Sequence, residues 1–228
     1  MTHITLDHTA QAAKNIYKNT DFQGFTLLGG FFDPKNDLTL GWHKEGDAGG
    51  GSGGIYKYNN GIDQFILAFR GSSGSPLKGH KDWVTDDRQI GMQQTPDREA
   101  ACVDYARRIQ WQYRGAFILV VGHSLGGYLA QMVGVKCNLP FITYNAPPAG
   151  YHFKAGDAPL KYKEGVNLRI NWDPVSRAPG KHIGPLITLP HYGNNILDAH
   201  TNGAIEKTMA RYEHRNMAAT GFIRVKNI

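Results

Sequence analysis

Two almost unbroken apolar runs, Phe65-Ile66-Leu67-Ala68-Phe69 and Phe117-Ile118-Leu119-Val120-Val121, set the pattern of this chain. Runs of this length without polar alternation predict strands buried on both faces. Shorter segments at Phe141–Tyr144, Asn167–Asn171 and Leu186–Leu189 predict further strands. Ile55–Tyr58 is also strand-like, and Asn59-Asn60-Gly61 predicts the hairpin turn that leads from it into Phe65. Helical spacing occurs over Asp97–Gln112, with Pro96 as a start signal, over Tyr128–Val133 and over Thr201–His214, and more weakly over Ala10–Lys18. Strands alternating with helices predict an α/β fold with a mostly parallel central sheet and helices on both faces.

The amino-terminal part is less regular. Gly29-Gly30 through Asp33-Pro34-Lys35-Asn36-Asp37 predicts a turn before short strands. Gly49 to Gly54 has the glycine spacing of a dinucleotide-binding loop, but that chemistry needs a helix after the glycines. Here strand-like residues follow, so a flexible hairpin loop is expected.

At 228 residues, with 41% hydrophobic and 19% charged residues, the chain has the length and composition of one globular domain, expected to span residues 1–228. The formal net charge of +6 and pI near 9.2 would suit an anionic membrane surface or an acidic ligand. The charge is dispersed, and neither a basic helix nor a nucleic-acid-binding motif is present, so no nucleic-acid partner is expected. Cys102 and Cys137 lack metal-ligand spacing and are expected to be free thiols. Met1–Lys18 lacks a basic start followed by an apolar run, and no stretch reaches the length of a membrane span. A cytoplasmic location is the default expectation, although signal-independent export or phage-associated delivery would look the same.

The candidate chemistry centres on Val120-Val121-Gly122-His123-Ser124-Leu125-Gly126-Gly127. A serine that projects from a sharp strand-to-helix turn needs neighbours without side chains two positions before and after it, which Gly122 and Gly126 provide. Its hydroxyl is a weak nucleophile, so it needs a histidine to take the proton and a carboxylate to hold that histidine in the correct tautomer. Asp173 is the preferred carboxylate because it follows a predicted strand and precedes Pro174, which turns the chain out of the sheet. Asp157 and Asp198 remain open. His200, after the last predicted strand, is the preferred base, with His182 and His191 as competitors. His123 must point away from the serine and is expected to pack. Backbone donors for a developing oxyanion are expected at Leu125, which opens the helix, and at Ser72, just past the first buried run.

Phe69-Arg70-Gly71-Ser72, Asp82-Trp83-Val84-Thr85-Asp86, Gly122-His123-Ser124-Leu125-Gly126-Gly127, Asn145-Ala146-Pro147 and Asp173-Pro174-Val175 together resemble the class 3 lipase family, in order and in spacing. The similarity covers roughly Ile55 to Met209. It implies an α/β-hydrolase fold, a Ser124–His200–Asp173 triad, an oxyanion hole at Ser72 and Leu125, and hydrolysis of acylglycerols or phospholipids without a metal or organic cofactor. The expected function is therefore that of a serine carboxylester hydrolase of lipase or phospholipase A type acting on a lipid or small ester. An acyltransferase or thioesterase with the same triad, or a binding module that no longer turns over, are the alternatives. Between Ser72 and Asp82 the family's amphipathic lid is replaced by Ser73-Gly74-Ser75-Pro76-Leu77-Lys78-Gly79-His80-Lys81, which cannot bury a wide apolar face. That favours a soluble ester, a monoacylglycerol or a phospholipid over bulk triglyceride.

Overall fold

A computed structural model of the chain describes residues 3–31, 53–71, 99–150, 162–193, 195–196 and 198–226. Seven strands form one sheet in sequential order: β1 (Phe25–Phe31), β2 (Gly53–Tyr58), β3 (Gln64–Phe69), β4 (Phe117–His123), β5 (Phe141–Tyr144), β6 (Gly165–Ile170) and β7 (Leu186–Leu189). β1, β2 and β3 pair antiparallel, whereas β3 through β7 are parallel. The helices are α1 (Leu6–Asn15), α2 (residues 99–112), α3 (Leu125–Cys137), α4 (Asn202–Met209) and α5 (Ala219–Lys226).

The apolar runs are continuous because their alternate residues enter two different cores. Ile66, Ala68, Leu119 and Val121 face one side, where α1, α4 and α5 contribute Ala12, Ala13, Ile205 and Phe222. Phe65, Leu67, Phe69, Ile118 and Val120 face the other, against α2 and α3 through Ala106, Ile109, Leu129 and Val133. A parallel sheet covered on both faces requires this arrangement. Cys102 and Cys137 are buried in the second core.

Three expectations need correction. Gly29 and Gly30 do not open the turn but lie inside β1, whose pairing with β2 shifts register between Leu27 and Gly29, whereas residues 33–37 lie outside the described residues. A bulged strand loses the period-2 pattern that would have revealed it. The first helix runs from Leu6 to Asn15 rather than from Ala10 to Lys18, because Thr5 caps it by accepting from the His8 N–H while His8 accepts from the Thr5 N–H. The helix expected to reach His214 stops at Met209, and turns then return the chain so that Ala218 bridges Thr5 and α5 packs on α1. Gly53 and Gly54 belong to β2, whereas the rest of the glycine tract lies outside the described residues.

The parallel strands end along one edge of the sheet, and Ser124, Asp173 and His200 follow β4, β6 and β7 there. Among the described residues no helix is long and apolar enough to cross a membrane.

Candidate active site

Ser124 stands alone between β4 and α3, with φ 57° and ψ −132°. A non-glycine residue held in that region costs about 1–3 kcal/mol. Packing enforces it: a Cβ on Gly122 would collide with the carbonyl of Gly126, and one on Gly126 with the carbonyl of Phe69. The Ser124 N–H donates to the Tyr144 carbonyl at 3.1 Å, fixing the turn to the end of β5.

His200 occupies a single 3₁₀ turn, Asp198–His200, directly before the Thr201 cap of α4. Its Nε2 lies 2.8 Å from Ser124 Oγ, and its Nδ1 lies 2.7 Å from Asp173 Oδ1. Asp173 is fully buried and also accepts from the N–H groups of Val175 (3.3 Å) and Ser176 (2.9 Å). Burial pushes its carboxyl upward, but the hydrogen bond and charge of His200 and the hydrogen bonds from Ser176 outweigh this and hold it below the usual carboxylate range. An ionised Asp173 can only accept, so His200 Nδ1 donates to it, and in the neutral imidazole Nε2 then accepts from the serine hydroxyl.

Two buried side chains hold the backbone of the histidine turn. Asn145, at φ 48°, donates through Nδ2 to the Ala199 carbonyl at 2.7 Å and accepts through Oδ1 from the Ile170 N–H at 2.8 Å. It thereby ties the ends of β5 and β6 to the turn. His123 Nε2 lies 2.8 Å from the His200 carbonyl, and the two rings are 4.9 Å apart. Burial, with the neighbouring His200 charge as a lesser cause, lowers His123 to about 3. The expectation that His123 packs is met, and the side chain has a polar role as well.

That lowered value makes the fold sensitive to acid. The unfolded chain protonates His123 near pH 6.5, whereas the folded chain does so only near pH 3. Between these values the unfolded state binds more protons, so stability falls as pH drops from the upper value toward the lower. At about pH 4.5 the loss from this group alone is about 3 kcal/mol. Urea unfolding at about pH 7 and about pH 4.5 should show wild type losing about 3 kcal/mol more than His123→Gln, whose amide does not titrate. Equal losses would exclude His123 as the group responsible.

The remaining candidates fall elsewhere. Leu125 opens α3, so its N–H is among the first-turn donors that no helical carbonyl takes up. Ser72 and Asp157 lie outside the described residues. The Asp198 carbonyl accepts from the Thr201 hydroxyl at 2.8 Å, which shapes the turn rather than orienting the imidazole. His182 Nε2 lies 3.1 Å from the Ser176 carbonyl and braces the loop after Asp173. His191 stands edge-on to Trp172, with ring centroids 5.7 Å apart. Among the described residues no three His, Cys, Asp or Glu side chains gather as metal ligands would.

Ser176 had no signal in the sequence, and Asn145 had only its place in the Asn145-Ala146-Pro147 segment. Trp172 was another omission. It precedes Asp173 at φ 72° and is 54% exposed, a combination that makes it a large apolar surface beside the site. Tyr192 and Ile196 are also exposed, and the Arg211 guanidinium lies 4.7 Å from the Tyr192 ring centre.

This sheet, with a serine elbow after one parallel strand and the His200–Asp173 pair after later ones, is the α/β-hydrolase fold. Residues 8–163 match the phospholipase-like family model of the Tle-like phospholipase domain, and the chain belongs to that family. It is thus a phospholipase-like lipid ester hydrolase, in keeping with the class 3 lipase resemblance. The Lip2 lipase from Yarrowia lipolytica is similar in structure, with a TM-score of 0.53 at 14% identity over 94% of this chain and 92% of that one. A mutant form of MDLA from Penicillium cyclopium gives a TM-score of 0.51 at 17% identity over 83% of this chain and 78% of that one. At such identities the likeness is one of fold. No curated protein matches the chain in sequence.

Proposed function

We propose that the chain is a serine carboxylester hydrolase of the phospholipase A type, working through an acyl-enzyme on Ser124. The observation that carries this reading is the hydrogen-bonded series Ser124 Oγ, His200 and Asp173, at 2.8 and 2.7 Å. Ser124 Oγ attacks the ester carbonyl as its proton passes to His200 Nε2. The resulting imidazolium is balanced by the buried Asp173 carboxylate. The Leu125 N–H, with Ser72, stabilises the oxyanion. His200 then returns the proton to the departing alcohol, and water, activated by the same imidazole, releases the fatty acid.

Phospholipid at an anionic surface is the substrate form that the exterior suits. Trp172, Tyr192 and Ile196 offer apolar and aromatic contact near the site, and the chain carries a net charge of +6. The test uses phosphatidylglycerol-containing and pure phosphatidylcholine vesicles beside a soluble p-nitrophenyl ester. Fatty acid and lysophospholipid should appear faster from the anionic vesicles. Trp172→Ala should slow vesicle hydrolysis while leaving the soluble ester unaffected. Ester hydrolysis without any release from either vesicle would exclude the phospholipase reading.

A further inference from the structure

Tyr17 lies one residue beyond the C-cap of α1, far in sequence from every residue so far placed at the site. Its hydroxyl nevertheless meets two parts of that site: it accepts from the Gly71 N–H at 3.1 Å and lies 3.2 Å from His123 Nδ1. His123 Nε2, in turn, lies 2.8 Å from the His200 carbonyl. The direction of every bond in this series is determined. A carbonyl oxygen can only accept, so His123 Nε2 carries a hydrogen. His123 is neutral, leaving Nδ1 bare, and the Tyr17 hydroxyl must therefore donate to it. The hydroxyl oxygen is then free to accept from Gly71.

The contact at Gly71 is close. A Cβ there would meet the Tyr17 hydroxyl, and it would lie 2.9 Å from the His123 carbonyl and 3.2 Å from Ser124 Cβ. Gly71 is thus pressed between the tyrosine hydroxyl and the nucleophile turn with no room for a side chain. The tyrosine is itself anchored, because Ala12, Ala13 and Ile16 of the same segment are buried in the core and the Arg70 guanidinium lies 5.5 Å from its ring centre.

We infer that Tyr17 and His123 are positioning residues that lock the strand end leading to the oxyanion donor onto the turn carrying the catalytic histidine. The inference rests on the hydrolase reading above, since it concerns how Gly71 and the His200 turn are held about Ser124. Neither side chain needs to touch the reacting atoms. Their hydrogen bonds fix, before substrate arrives, how Gly71 and the His200 backbone sit against the nucleophile turn. Donors arranged in advance stabilise a transition state more than donors that must reorganise.

The test compares wild type, Tyr17→Phe, His123→Leu, the double variant and His123→Gln. The readouts are turnover of a soluble p-nitrophenyl ester, the inactivation rate with a fluorophosphonate, and thermal melting. Tyr17→Phe keeps the ring and removes only the hydroxyl. It should lower kcat and the inactivation rate about tenfold, with KM within about twofold of wild type. His123→Leu should do the same, and the double variant should be no slower than the worse single one, because both changes break one series of bonds. His123→Gln, whose amide can both donate and accept, should recover most of the rate.

Wild-type kcat in folded Tyr17→Phe would overturn the inference. So would a raised KM at unchanged kcat, losses that multiply in the double variant, or rate losses that merely follow lowered melting temperature. These results leave the hydrolase reading intact if wild type still turns over ester and is labelled on Ser124. Wild type that neither turns over nor labels would overturn both.

Discussion

Replacing Ser124 by alanine is expected to lower ester turnover about a million-fold, to the level that binding and oxyanion donors alone sustain. The size of the loss follows from the geometry. The Ser124 hydroxyl stands 2.8 Å from His200 Nε2, and without it the imidazole has no nucleophile to deprotonate. The role is tied to this position, because the projection of Oγ depends on the φ 57° turn that Gly122 and Gly126 permit. His200→Ala should be comparably severe, since serine and histidine act as one unit and removing either removes the function of both. Initial rates on a p-nitrophenyl ester, with intact mass after fluorophosphonate treatment, provide the check. Near-normal turnover by Ser124→Ala would exclude the covalent mechanism. Full activity in His200→Ala, with loss in a His182 or His191 variant, would keep the serine and displace the base.

Asp173→Asn is expected to lower turnover about ten-thousand-fold while leaving the fold in place. Both carboxylate oxygens act as acceptors: Oδ1 from His200 Nδ1 and the Val175 N–H, Oδ2 from the Ser176 N–H. An amide can serve only one of these sides. If its NH₂ group faces Ser176, two donors oppose each other in a fully buried position. Rotation relieves that conflict, gives up only the longer 3.3 Å contact with the Val175 N–H, and presents NH₂ to His200, which then carries its proton on Nε2 and points a hydrogen at the serine instead of a lone pair. The second arrangement explains a loss in rate without a loss in structure. Rates of Asp173→Asn and wild type on the same soluble ester, with circular dichroism to verify folding, measure the effect. Wild-type turnover by the variant would assign the orienting role to another carboxylate.

The parts of the fold that could be read from the chain are those whose signal is local. β5 and β7 fall where their short apolar segments predicted, and β3 and β4 contain the two long runs, because burial on both faces leaves no polar residue to interrupt them. The edge strand β1 was missed because a bulge breaks its period and its pairing is one-sided. α5 was missed because only a few of its residues, such as Phe222 and Ile223, meet the core, too few to produce a helical stripe.

The same division runs through the site. Sequence alone selected Ser124 from its glycine neighbours, and Asp173 and His200 from their places after predicted strands, because parallel strands must deliver the residues that follow them to one edge of the sheet. Pattern preferred them to Asp157, Asp198, His182 and His191 only by chain order and place after a strand; that the Asp173 and His200 side chains lie in one hydrogen-bonded series with Ser124 is a feature of the tertiary structure. Nor could pattern find Tyr17 or assign Asn145 a partner. The Tyr17–His123 contact spans 106 positions and the Asn145–Ala199 bond spans 54. Composition and periodicity record what a residue needs from its immediate neighbours, burial or a turn. Which distant carbonyl a buried side chain meets depends on how helices seat on the sheet, and only the tertiary structure decides that.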